Sequence, residues 1–291
     1  KKIMRDCDKM KEKSRGISLE PFVQFSESFM SIKGWKDWQP NLLAGFTTKN
    51  GGISDFPFQS MNTAFHVFDL DGKVIENRRI LADQLHFPVE RWVGAEQTHE
   101  ASILKIDKSH AGLGALDYKT ALKATDGLYT KESGILLTLC FADCVPVYFM
   151  APNHHLIGIV HAGWKGTVAG IGSSMIDIWT QDEGVQPEEI YAAIGPSICQ
   201  NCYTVDKKVI NYLEVILEEQ TKTAYNQITE TQYQLDLKLA NSLILQKAGV
   251  LPENIMTTNF CTSCDDSYFF SHRRDEGKTG RMMGFIGWKE V

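Results

Sequence analysis

The chain has 291 residues, 43% of them hydrophobic and 23% charged, with a formal net charge of −6. That composition fits a globular protein long enough for a large core, and no basic run beyond the N-terminal segment could track a phosphate backbone, so nucleic acid is not an expected partner. Seven cysteines, an odd number, without a secretory signature argue against a disulfide framework and leave metal ligation, catalysis or burial.

In chain order, residues 1–17 (KKIMRDCDKMKEKSRGI) are basic and polar, without the apolar stretch of a signal peptide. They are read as a tail, disordered or extraneous, ahead of a single domain over 18–291. LLAGFTTKNGGIS (42–54) predicts a strand ending in a glycine turn. Val74, Ile75, Ile80, Leu81 and Leu85 recur at helical spacing. RWVGAEQTHEASILKID predicts two strands joined at Gln97–Glu100, and GILLTLC, VPVYFMA and LIGIVHA predict three more, with a turn at 152–155. Asp143 and Pro146 interrupt the apolar run 136–150, which is too short to cross a bilayer, so a cytoplasmic protein without membrane partners is expected. One helix is predicted over KGTVAGIGSSMIDIWTQDEG, and a strand over EEIYAAI. Helices follow at DKKVINYLEVILEEQ and QLDLKLANSLILQKAG, then strands at NIMTTNF and RMMGFIGWK. Strands and helices mix without strict alternation, and no G-x-G-x-x-G follows a strand, so the expected class is a layered mixed α/β (α+β) fold rather than a Rossmann fold.

Three short motifs place chemistry at strand ends: EQTHE with His99, ADCVP with Cys144 and HAGWKG with His161. Imidazole and thiolate suit zinc, and three protein ligands with an open fourth position suit a catalytic site. A lone Cys or His in such a place is read equally well as a packed core residue. Cys140, His154 and His155 are assigned to core and turn, and Asp143 either tunes the site or caps a strand.

FTTKNGGIS, EQTHE, ADCVPV, HAGWKGTVAGI, GPSICQNCYTV and CTSC…YFFSHRRDEGKTGRMMGFI occur in this order over nearly the whole chain after Ser18. Together they resemble the YfiH/laccase-domain family. That resemblance implies a CNF1/YfiH-like fold and a metal triad of His99, Cys144 and His161, normally holding zinc. It also implies a purine nucleoside phosphorylase that cleaves adenosine, inosine, guanosine or methylthioadenosine with phosphate and also deaminates adenosine. Purine nucleosides and phosphate are then the partners, and a homo-oligomer is left open. Lys49 stands where the family usually has Arg; it keeps the charge without the bidentate fork. Lys49, His272, Arg273 and Arg274 are taken as catalytic candidates, with surface positions the competing reading for the arginines. Asn62, His66 and Trp164 are taken as substrate-lining candidates, with core packing the competing reading for Trp164.

Three rivals are set beside this reading. A copper-dependent polyphenol oxidase would use the same triad, but eight histidines and no His-x-His pair cannot build a multicopper cluster in one chain. A Cys–His hydrolase would use Cys144 as nucleophile and His161 as base. A non-enzymatic metal-binding module is the third. The pairs Cys199-x-x-Cys202 and Cys261-x-x-Cys264 are separated by 58 residues, wider than zinc-ribbon spacing, so packing or pocket-wall roles are expected for them, with a second, four-cysteine metal site the competing reading.

Overall fold

A computed structural model describes residues 20–290; the predicted tail 1–17 lies outside them. Two six-stranded sheets carry the architecture. The first runs β1 (Phe22–Gln24), β2 (Phe29–Ile32), β3 (Leu42–Thr47), β15 (Met282–Trp288), β7 (Leu136–Phe141) and β4 (Trp92–Gly94). The second runs β14 (Ile255–Thr257), β10 (Tyr191–Ile194), β8 (Val145–Ala151), β9 (Leu156–Ala162), β6 (Gly127–Thr130) and β5 (Ile103–Lys105). A small third sheet joins β11 (Thr204–Asp206), β13 (Gln232–Leu235) and β12 (Tyr225–Gln227).

The helices are α1 (Lys33–Trp38), α2 (Asp71–Leu85), α3 (Trp164–Val168), α4 (Ile171–Asp182), α5 (Lys207–Leu217) and α6 (Leu237–Lys247). Strand alternation explains the layers. In β8, Tyr148 and Met150 face an inter-sheet core with Phe46, Leu139 and Phe141, while Val145, Val147, Phe149 and Ala151 face the second core against α4, α5 and α6. Leu81, Ala82 and Leu85 of α2 cover the other face of the first sheet at Trp92, Leu136 and Phe285. The order is therefore helix, sheet, sheet, helices: a mixed α/β layered fold.

The helix predicted over 165–184 is two helices, because Gly170 takes a left-handed φ of 76° between α3 and α4. Helices α5 and α6 start where Asp206 and Asp236 accept the N–H groups of Val209 (3.2 Å) and Leu239 (2.9 Å). Among the described residues, no helix is long and apolar enough to cross a membrane.

Candidate metal centre

Register builds the site. Pro146 pairs with His161 across β8 and β9, so Cys144, just before β8, lies beside the end of β9. Gly127 pairs with Val160 across β6 and β9, which sets Asp126 against His161. The His161 N–H donates to the Asp126 carbonyl at 2.7 Å, and its Nδ1 meets Asp126 Oδ1 at 2.9 Å. His99 arrives on the loop between β4 and β5. That loop is held by the same carboxylate, which accepts the backbone N–H groups of Thr98, His99 and Glu100 at 3.0–3.1 Å. These bonds fix His99 at a left-handed φ of 64°, unusual for a residue with a Cβ. Gln97 adds a two-point tie to the backbone of Cys140.

One donor atom from each of His99, Cys144 and His161 lies within 4.8 Å of the others, and the two imidazoles meet edge to face at 4.7 Å between centroids. Burial would push the Asp126 pKa up, but the His161 hydrogen bond and the N–H groups of Glu100 and His99 hold it below the ordinary carboxylate value. An ionised carboxylate only accepts, so Nδ1 is the His161 nitrogen that keeps its proton, and Nε2 is the one left to face a metal. Burial would raise the Cys144 thiol; His161 and His99 reverse this and bring it down to about 6. Burial would lower His161, yet the Cys144 thiolate and Asp126 carry it up to about 9. A thiolate held by imidazoles is the donor set a divalent cation takes by displacing the proton. The backbone also makes room: a Cβ on Gly163 would sit 2.9 Å from Cys144 Sγ and 3.6 Å from the His99 ring. These residues fit a bound metal ion.

The triad lines a cleft of about 490 Å³, a size suited to a small ligand. His66, Trp164, His272 and Arg273 of the sequence candidates also line it. Trp164 is half-buried, packed on one side against the helix-side core and open on the other to the cleft. His66 is an exposed residue at the cleft; partial loss of water, then the charges of Arg281 and Arg78, hold its pKa down to about 4. Arg273 lies over the Tyr203 ring at 5.2 Å and donates to the Thr204 carbonyl at 3.2 Å.

Three candidates lie outside the cleft wall. Arg274 spends its guanidinium on Asp275 and the carbonyls of Thr262, Ser263 and Phe269, which folds its own loop. Asn62 is fully buried and bonds to Ala64, Asp69 and the Arg281 N–H, so it fixes the backbone that carries Arg281. Lys49 pairs its backbone with Tyr268, Ser60 and Met61.

Sequence reasoning missed Asp126, Arg281, Tyr118 and Tyr203, of which the last three line the cleft. It placed Cys140 in the core, yet Cys140 is half-buried and also lines the cleft, at the end of β7 where the two sheets part. Asp143, at φ 82°, accepts Thr262 Oγ1 (2.6 Å), Ser271 Oγ (3.1 Å) and the Arg273 N–H (2.7 Å), fastening the C-terminal loop beside Cys144. A turn signal in TDG and a cation in KTGRMM were the only hints of Asp126 and Arg281.

The model of the family described as multi-copper polyphenol oxidoreductase laccase matches residues 43–289. The chain belongs to this laccase-domain family. Relatives within it include purine nucleoside phosphorylase YlmD of Bacillus subtilis, 49% identical over 277 residues, covering 94% of this chain and 99% of that protein. The protein of the same name from Geobacillus stearothermophilus is 51% identical over 248 residues, covering 85% and 90%. Among solved structures, the Bacillus licheniformis hypothetical protein YfiH superposes with a TM-score of 0.90 at 50% identity, covering 92% of this chain and 99% of that one. YlmD from Geobacillus stearothermophilus superposes with a TM-score of 0.89 at 47% identity, covering 93% and 100%. The laccase-domain fold expected from the motifs is the fold observed, and both of the named relatives are purine nucleoside phosphorylases.

Proposed function

We propose that the chain is a zinc-dependent purine nucleoside phosphorylase that also deaminates adenosine, with adenosine, inosine, guanosine and methylthioadenosine as substrates. The observation that carries this reading is the convergence of His99, Cys144 and His161 in the wall of a cleft that two arginines, Arg273 and Arg281, also enter. When bound, zinc supplies a Lewis acid with an open position toward an oxygen ligand.

The protein's own groups do the rest. Arg281 and Arg273 hold phosphate so that one of its oxygens attacks ribose C1′ as the bond to the purine breaks. His272 donates a proton to the departing base at N7. Trp164 and Tyr203 flank the purine faces. His66, uncharged at neutral pH, serves the ribose hydroxyls as a neutral hydrogen-bond partner. In deamination adenosine turns purine C6 toward the triad; water adds to C6, its protons pass to the amino nitrogen, and ammonia leaves inosine behind.

A second reading has support in the family's description: two imidazoles and a thiolate also take copper, which would make the chain a polyphenol oxidase. The pairing of Cys144, His161 and Asp126 is also that of a cysteine hydrolase, but His99 then has no task. Incubation with inosine and phosphate should release hypoxanthine and ribose 1-phosphate, with adenosine run in parallel giving adenine and inosine. Chelation should abolish both reactions together. Phosphorolysis that survives in metal-free protein, or phenol oxidation by the copper-loaded protein without any purine release, overturns the proposal.

A further inference from the structure

The two C-x-x-C pairs, expected from their spacing to pack or to line the pocket wall, converge. Strands β10 and β14 are parallel neighbours, with Ile194 opposite Thr257, and the pairing continues as a bridge between Ser197 and Cys261. The 58 residues between the pairs are taken up by the small sheet and by α5 and α6, so chain distance says nothing about spatial distance. The four Sγ atoms of Cys199, Cys202, Cys261 and Cys264 lie within 4.8 Å of one another.

We propose that this tetrathiolate cluster is a second, structural zinc site that holds one wall of the catalytic cleft in place. The geometry is that of a single tetrahedral ion. Zinc–sulfur bonds of about 2.3 Å set sulfur–sulfur edges of about 3.8 Å. The Cys202–Cys264 and Cys199–Cys264 separations are 3.3 and 3.9 Å, far beyond a disulfide bond of about 2.05 Å. The backbone is folded around a thiolate. Cys261, buried, accepts the N–H groups of Cys199 at 3.2 Å and Cys264 at 3.4 Å. The Asp265 carboxylate takes the Cys261 N–H at 2.9 Å and closes the second turn. Four thiolates leave no open position, which marks a structural and not a catalytic ion.

Its placement gives it a task. Ile198 and Tyr203, which bracket the first pair, both line the cleft, and the segment after the second pair returns to it with His272 and Arg273. One ion therefore ties together the two loops that form this wall. The proposal does not rest on the reaction assigned to the cleft.

Metal analysis of the purified full chain should give about two zinc ions per chain. Cys144→Ser should lose one and keep the other, and Cys202→Ser with Cys264→Ser should lose the opposite one. Because the double variant can fail to fold, cobalt exchange into the unsubstituted chain and into Cys144→Ser provides a second readout. Both should show the intense thiolate-to-cobalt charge-transfer absorption of a tetrathiolate site. A single zinc in the unsubstituted chain that the double substitution leaves in place overturns the proposal. So does iron in place of zinc, or a mass deficit showing a disulfide among these cysteines.

Discussion

Asp126 is the residue on which the metal centre turns. Its carboxylate fixes the tautomer of His161 and gathers the N–H groups that turn His99 inward. Asp126→Asn keeps the volume but sets an amide donor against those N–H groups. Loss of such an orienting carboxylate should weaken metal binding about 10–100-fold, read by competition with a chromophoric chelator; unchanged affinity would refute the role. Gly163 is tested from the other side. In Gly163→Ala the new Cβ meets Cys144 Sγ at 2.9 Å, and a sulfur engaged with a metal cannot withdraw. Metal content should fall while the far-ultraviolet circular dichroism stays unchanged; full occupancy would show that the sulfur has room. His99, Cys144 and His161 were legible because each sits in a distinctive motif. Asp126 was not, because an Asp-Gly pair reads as an ordinary turn, and its task depends on the β6–β9 register, which a single sequence does not display.

At the scale of elements, the edge strand β5 is fastened to the end of α4 through Glu183. Its side chain is only 4% exposed and meets Lys105 at 2.6 Å and Lys131 at 2.7 Å, with the Tyr129 hydroxyl donating at 3.3 Å. Burial would raise the Glu183 pKa, but the two lysines outweigh it and hold it below the ordinary value. A carboxylate depressed in the folded state contributes stability above the unfolded value, about 4.3, and loses it as pH falls through the folded value. Glu183→Gln should therefore cost about 1–2 kcal/mol at neutral pH, less than a wholly buried pair because both lysines stand half in water. The difference from the unsubstituted chain should shrink as pH falls from about 5 to 3. Urea titrations across that range check this, and a pH-independent difference would exclude the ion pairs as its source. Most long elements were legible, since α2, α5 and α6 carry helical spacing and β7 to β9 are apolar runs. The break at Gly170 was hidden by continuous apolar spacing on both sides, and the short strands β11 to β13 by their polar composition. The meeting of the cysteine pairs was hidden because a parallel crossover erases chain separation.

For the whole molecule the decisive feature is that two sheets share one core and part at one end to form the cleft. Strand runs such as VPVYFMA, apolar at every position, do announce a sheet buried on both faces. They do not say that one of those faces meets a second sheet and the other a helix layer. Tyr148 joins the two sheets directly. It is fully buried, and its hydroxyl donates to the Gly45 carbonyl of β3 at 2.7 Å. Tyr148→Phe removes that donor and leaves the carbonyl without this bond in a dry core, at a cost of about 1–3 kcal/mol. For a chain of this size each kcal/mol lowers Tm by roughly 2–4 °C. Cys144 and His161 stand at the ends of β8 and β9 on the same inter-sheet side as Tyr148, so the sheet spacing at Tyr148 is also the spacing behind the metal centre. If the hydroxyl serves only cohesion, the variant should melt lower by scanning calorimetry and keep its full metal content. A loss of metal along with stability would instead show that the distance between the sheets sets the donor geometry, joining the packing of the core to the chemistry at its open end.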